Sequence, residues 1–222
     1  MEFPGETAEY RQARAEPLQS EVELRRQIEQ VAAQRRALPL GGEPPEDYVF
    51  QETGADGKDR PVRLSELFAP GRDTLVVYSY MFGPQMKEPC PLCTSILDGL
   101  DAEAPHIAQT VSLAVVARSP LARVRDFARQ RGWRHLRLLS SADNSYNRDY
   151  HGESPQGDQW PMLNVFVQRD GRVRHSYATE LFSAGAERGQ DPRHVDLIWP
   201  LWNVLDLTPG GRPQGWYPKL AY

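Results

Sequence analysis

The chain has 222 residues and a mass of 25.2 kDa, the size of one large domain or of one domain with an appendage. Lysine and arginine number 26 against 30 aspartates and glutamates, so the net charge of −4 supplies no basic field and argues against a general nucleic-acid binder. Hydrophobic residues at 40% and charged residues at 25% exclude a disordered chain, and the two cysteines, Cys90 and Cys93, exclude a disulfide-stapled scaffold or a four-cysteine zinc site.

The start of the chain, MEFPGE, is acidic and lacks the basic first residues and apolar core of a signal peptide, which leads us to expect a cytoplasmic protein. Its apolar runs fall far short of the roughly 20 residues of a membrane helix, so no membrane partner is expected. Residues 18–38, LQSEVELRRQIEQVAAQRRAL, place Leu24, Ile28, Val31 and Leu38 at helical spacing. Pro39, Gly41-Gly42 and Pro44-Pro45 stop this helix, and we read residues 1–43 as a helical arm preceding a domain over 44–222. The narrow apolar stripe of the arm serves either docking on its own domain or pairing with a second copy as a homodimer.

Tyr48-Val49-Phe50 and Val62-Arg63-Leu64 flank a turn-rich segment and predict a β-hairpin. LVVYSY (75–80) and VSLAVVA (111–117) are continuous apolar runs, as in strands of a parallel sheet buried on both faces. Between them, Cys93, Leu97, Leu100 and Ala104 share one helical face until Pro105, which is expected to kink or end the helix. A second helix, with Ser119 as its N-cap and Pro120 at its first position, runs to about Arg131, and LRLLS (136–140) supplies a third parallel strand. A polar, aromatic insertion fills about 140–160. MLNVFVQ and VRHSYA flank Asp170-Gly171 and form a hairpin, and VDLIWPLWNVLDL includes a covering helix that Pro200 interrupts. This order predicts an α/β fold with a central mixed sheet, right-handed crossovers and helices on both faces.

Cys90-Pro91-Leu92-Cys93 lies just after a buried strand, at the start of a helix. Unpaired amides and the helix dipole at such an N-terminus stabilise a thiolate. Cys90, placed first, is the candidate nucleophile; Cys93, one turn further in, faces the core and is placed to attack a mixed disulfide, forming a Cys90–Cys93 disulfide. The pair also admits a soft-metal site, or a scaffold that binds a partner without turnover. His106, His135, His151, His175 and His194 make no recognised ligand spacing with the cysteines. His151, in the insertion, is the one reasonable ligand candidate, but a solvated loop histidine is the plainer reading, and neither a metal nor a cofactor is expected. The arginines from Arg118 to Arg137 form a basic stretch that reads as a solvated face or, less simply, as a site for an anionic partner. Trp133, Trp199 and Trp202 read as packing residues.

Several segments in order, RRALP, DYVF, YSYMFGP, CPLC with TSILDGLDA, ARSPLARV, RGW, SSADNSYNRDY and VLDLTPGGRP, carry a resemblance that covers nearly the whole chain. The sequence is similar to the bacterial thioredoxin-like family catalogued as domain of unknown function 899. The resemblance implies a thioredoxin-like fold and thioredoxin-type use of Cys90 and Cys93 on a protein or small-molecule disulfide; the family's own name leaves its activity open. Pro161 stands where thioredoxin-like domains carry a cis-proline beside the reactive pair, and is expected to shape the substrate groove. Trp160 beside it either lines that groove or packs in the core or rim, and Tyr146, Asn147, Asp149 and Tyr150 of the insertion either shape the same site or spend their polar members on loop-internal turns. Thioredoxin itself carries Trp-Cys-Gly-Pro-Cys, and peroxiredoxins place a threonine three positions before the reactive cysteine; here that position is Lys87, which removes support for peroxidase activity.

Overall fold

Residues 1–180, 185, 187, 188, 198–213 and 215–222 are described by the computed structural model; His194 and residues 195–197 of the last apolar segment lie outside them. The chain divides into two compact units, Met1–Leu40 and Gly41–Tyr222. In the first, α1 (Ala8–Ala13) is capped by Thr7, whose hydroxyl accepts the Tyr10 N–H at 3.1 Å. Helix α2 (Ala15–Arg36) follows, starting and ending slightly earlier than the periodicity predicts. Within this unit neither helix buries a residue, and Leu24, Ile28, Val31 and Leu38 are exposed.

The second unit is built on a seven-stranded sheet. Its strands are β1 (Val49–Thr53), β2 (Asp59–Arg63), β3 (Thr74–Tyr80), β4 (Ser112–Ala117), β5 (Leu138–Ser140), β6 (Met162–Arg169) and β7 (Arg172–Ala178), in the spatial order β2-β1-β5-β4-β3-β6-β7. β3, β4 and β5 are parallel, whereas the β1–β2 and β6–β7 hairpins join antiparallel at either side. The second hairpin turns on Asp170 and Gly171 with φ of 53° and 73°, the two left-handed positions that a tight hairpin turn demands. This is the α/β fold with a central mixed sheet that the sequence predicts.

Helices α3 (Pro91–Ile107) and α4 (Leu121–Arg131) connect β3 to β4 and β4 to β5. These strands step across the sheet in one direction, and two crossovers of the same hand therefore set both helices on the same face. There Ile96 and Leu97 of α3, Val124 of α4, and Trp199 and Trp202 at α6 (Pro200–Asp206) pack on Tyr78, Tyr80, Val115 and Ala117. Among the described residues, the opposite face has only the short α5 (Tyr146–Asp149) and the turn Leu64–Glu66, packed on Phe50, Leu75, Val77, Val116 and Phe166. The period-2 alternation of β3, with Leu75 and Val77 on one side and Tyr78 and Tyr80 on the other, feeds both cores.

Three prolines of the helical segments differ in effect from expectation. Pro105 lies in the last turn of α3, which continues to Ile107, because a missing N–H so close to the end forfeits little of the ladder. Pro120 is itself the N-cap of α4, since the Ser119 hydroxyl donates to the Gly83 carbonyl at 3.0 Å instead of capping. Pro200 begins α6 at its first position, where its fixed φ suits a helix start. Among the described residues no helix is long and apolar enough to cross a membrane.

Candidate functional site

Strand β3 ends at Tyr80, and residues 81–89 carry the chain to the start of α3. Cys90 is the N-cap of that helix, Pro91 its first residue, and Cys93 lies one turn in, buried. The Cys90 amide donates to the Met81 carbonyl at 3.0 Å. Its carbonyl accepts the Thr94 amide at 3.0 Å and the Thr94 hydroxyl at 2.9 Å. The Thr94 and Tyr80 hydroxyls are 2.7 Å apart, so α3 is pinned to the strand beneath it directly behind the cysteines.

Both cysteines are free thiols, and their surroundings drive them apart. The neighbouring Cys93 thiol, followed by the first-turn amides of Cys93 and Leu92, pulls the Cys90 thiol down to about 6 against the effect of its partial burial. Complete burial, followed by the adjacent Cys90 thiolate, pushes Cys93 well above the ordinary thiol range. At neutral pH the partly exposed cysteine is therefore the ionised one, and the buried one holds the proton.

Burial also raises the phenols of Tyr78 and Tyr80, with the neighbouring cysteines adding to the effect on each. These tyrosines form the floor of the site, and sequence reasoning missed them: in an apolar strand they read as core. Trp199 was read as packing, but its indole N–H also donates to the Ser95 hydroxyl at 2.8 Å, fastening the segment before α6 to the first turns of α3.

The loop above the strand is held from α4. The Arg123 guanidinium lies 4.6 Å from the Phe82 ring centre and donates to the carbonyls of Pro84 at 3.1 Å and Met86 at 2.5 Å. Other arginines of the basic stretch are also engaged internally. Arg118 donates to the carbonyls of Ser141 and Ala142 at 2.7 Å and pairs with Glu153 at 3.1 Å. Arg125 meets Asp59 at 2.6 Å, Arg131 meets Asp98, and Arg137 meets Glu52 at 2.8 Å. The stretch is thus largely a set of internal braces, neither the solvated face nor the anion site that composition suggested.

The insertion is a second correction. Tyr146 lies in the core on the far side of the sheet from the cysteines, with its ring 5.3 Å from Phe50. Asn147 is buried and accepts from the Ser141 hydroxyl at 2.6 Å, Asp149 accepts from Tyr48 at 2.8 Å, and Tyr150 packs edge-on to Phe166 at 4.9 Å. These residues fill the face that α3 and α4 leave open. His151 is exposed and left-handed, with φ of 55°, whereas His175 bonds Asn164 at 3.0 Å on the Phe166 side. Among the described residues no three His, Cys, Asp or Glu side chains are grouped to hold a metal.

Pro161 is buried one residue beyond the Ser79–Met162 pair, which sets it beside the end of β3 from which the chain departs toward Cys90. Trp160 is half-buried, and its amide donates to the Gly152 carbonyl at 3.0 Å. The Trp160–Pro161 peptide bond is trans, as is every described peptide bond, unlike the cis bond that the resemblance implied.

Residues 2–222 match the model of a family described as "Bacterial protein of unknown function (DUF899)". No curated protein matches the chain. Among solved structures, it is similar to thioredoxin peroxidase I of Plasmodium yoelii, with 16% identity over 82% of this chain and 99% of that one and a TM-score of 0.48. It is also similar to a peroxiredoxin-like protein of Aquifex aeolicus, with 14% identity, 64% and 75% coverage and a TM-score of 0.42. A third is the exposed lipoprotein thioredoxin Etrx1 of Streptococcus pneumoniae, with 13% identity, 69% and 98% coverage and a TM-score of 0.42. At such identities no residue of this chain inherits a role.

Proposed function

This chain belongs to the bacterial DUF899 family, and we propose that it is a cytoplasmic thiol–disulfide oxidoreductase whose dithiol is Cys90 and Cys93. The observation that carries the reading is the asymmetry of the pair. An N-cap thiol whose pKa is drawn down to about 6 precedes by one turn a buried thiol held protonated. A nucleophile and a resolving group need those two states.

In the reductive direction the Cys90 thiolate attacks one sulfur of a substrate disulfide. A Cys90–substrate S–S bond forms, the substrate S–S bond breaks, and the released thiolate takes a proton from water. Cys93 then gives up its proton and attacks the Cys90 sulfur. The intramolecular disulfide forms, the second substrate thiolate leaves, and that thiolate takes the Cys93 proton. The substrate gains two electrons and two protons, and the dithiol becomes a disulfide. Trp160 and Pro161 border the end of β3 and are proposed as the wall against which an extended substrate lies; Pro161, without an N–H, leaves that backbone position open.

The test is a glutathione redox titration of the purified protein. A reversible Cys90–Cys93 disulfide, lost in Cys90→Ser and in Cys93→Ser, supports the reading. A pair that stays reduced throughout the titration leaves the chain a non-catalytic binding scaffold.

We infer further that the chain forms a homodimer through α2. Its N-terminal half carries Glu16, Glu21 and Glu23 against Arg25, and its C-terminal half Arg26, Arg35 and Arg36 against Glu29. Two antiparallel copies set acid against base beside the Leu24, Ile28 and Val31 stripe.

A further inference from the structure

The floor of the dithiol contains two tyrosines with different fates. The Tyr80 hydroxyl is committed to Thr94 at 2.7 Å. The Tyr78 hydroxyl is fully buried in the same cluster as Cys93; the Cys93 thiol is its hydrogen-bonding neighbour, but no partner meets it with the geometry of a full hydrogen bond. A phenol O–H hidden from water without a full hydrogen bond costs roughly 1–3 kcal/mol. The titratable groups around it are Cys93 and Cys90 of α3 and Tyr80 of its own strand, and the two cysteines act on it more strongly than Tyr80 does.

Accepting the thiol–disulfide reading above, we propose that Tyr78 is a positioning residue for the second half of the exchange: its hydroxyl donates a hydrogen bond to the Cys93 sulfur as that sulfur loses its proton and attacks the Cys90 mixed disulfide. In the resting dithiol Cys93 is a neutral thiol, a poor acceptor, and the phenol has only a weak contact with it. When the Cys93 proton departs with the leaving thiolate, the buried sulfur becomes an anion in a site closed to water. The Tyr78 O–H and the Met81 amide are the groups that favour that anion against burial. Tyr78 keeps its own proton throughout, because burial next to the cysteines raises its phenol well above the ordinary range; it is a donor, not a base. Once the Cys90–Cys93 bond has formed, the charge is gone and the phenol is again left with only a weak contact to the sulfur. The substrate in this scheme is any disulfide that Cys90 can open, so the effect of Tyr78 is independent of substrate identity.

The experiment is stopped-flow reaction of the reduced protein with dithiobis(nitrobenzoate), which releases one coloured thiolate when Cys90 attacks and a second when Cys93 displaces the mixed disulfide. In Tyr78→Phe the first phase is expected to keep its rate. The second is expected to slow by about tenfold at neutral pH, the worth of a hydrogen bond to a charged group, and to recover as pH rises. The reduced variant is expected to unfold at the wild-type temperature or above it, since the substitution deletes an unsatisfied hydroxyl; a merely structural tyrosine would lower it. A ring-fluorinated tyrosine placed at position 78, a stronger donor of unchanged shape, is expected to accelerate the second phase and decides the matter should the phenylalanine variant not fold. An unchanged second phase, or an equal slowing of both phases, overturns the role of Tyr78 while leaving the dithiol chemistry intact. Absence of a second phase in the wild type overturns the dithiol reading itself, and this proposal with it.

Discussion

The amide of Cys90 donates to the carbonyl of Met81 at 3.0 Å, so the loop that leaves β3 returns to its own starting point before α3 begins. This closure sets the first helical turn directly over Tyr78 and Tyr80 and holds Cys90 at the helix N-terminus, where it gains the first-turn amides. The chemistry of the pair depends on that geometry.

Alkylation separates the two thiols. Iodoacetamide is expected to modify Cys90 alone in the folded reduced protein, with a rate that rises with pH to half its maximum near about 6, the value to which its pKa is drawn. Cys93, buried and held protonated, is expected to react only after unfolding. Mass spectrometry of the modified protein, with the rate measured from pH 4 to pH 9, checks both. A midpoint near 8.5, that of an ordinary thiol, is the contrary result.

The reduction potential is expected to change its pH slope at the same point. Below about pH 6 the reduced form holds protons on both sulfurs and the potential falls by about 59 mV per pH unit. Above that value Cys90 is ionised while Cys93 stays protonated, and the slope halves to about 30 mV. The ionised Cys90 favours the reduced form at neutral pH by about tenfold, which makes the pair about 30 mV more oxidising than it would be with an unperturbed first thiol. Equilibration with glutathione buffers across this range measures the slope.

Arg123 braces the site loop, and its effect is expected to be structural first. Arg123→Ala removes the donor to Pro84 and Met86 and the cation from the face of Phe82, and is expected to lower the unfolding free energy by about 1–3 kcal/mol in chemical denaturation. Arg123→Lys is expected to recover little of it, because an ammonium cannot address several carbonyls with a planar fork. Full recovery by lysine would show that charge alone is the brace.

Gly152 tests the packing of the insertion. A Cβ at this position meets the Ser79 hydroxyl at 2.9 Å and the Asn147 amide nitrogen at 3.1 Å, both on buried side chains. Gly152→Ala is therefore expected to destabilise the protein by about 1–3 kcal/mol through overpacking, read as a lower denaturation midpoint. Alkylation of Cys90, on the other face of the sheet, is expected to keep its pH midpoint.

The α2 interface is checked by mass in solution. Leu24→Asp with Ile28→Asp is expected to convert a dimer to a monomer by sedimentation equilibrium, as charge replaces the apolar stripe. A dimer that survives both changes removes α2 from the interface.

Local patterns in the sequence determined a good deal. The buried runs that became β3 and β4, the helix after Cys90 and the Asp170-Gly171 turn were legible because each rests on neighbours in the chain: apolar runs for strands, spacing for a helix, positive φ for a hairpin. The placement of both cysteines in one strand-to-helix turn was legible for the same reason. Tertiary structure alone decided which face each element covers. β3, β4 and β5 step one way, so α3 and α4 share a face; the aromatic insertion then had to fill the other, and Tyr146 and Tyr150 became core instead of site. Likewise, a basic stretch does not show that its arginines reach carbonyls and carboxylates remote in sequence, nor does an apolar strand show that Tyr78 ends beneath Cys93. Those relationships join residues distant along the chain, and burial and charge acquire their meaning only when such residues meet.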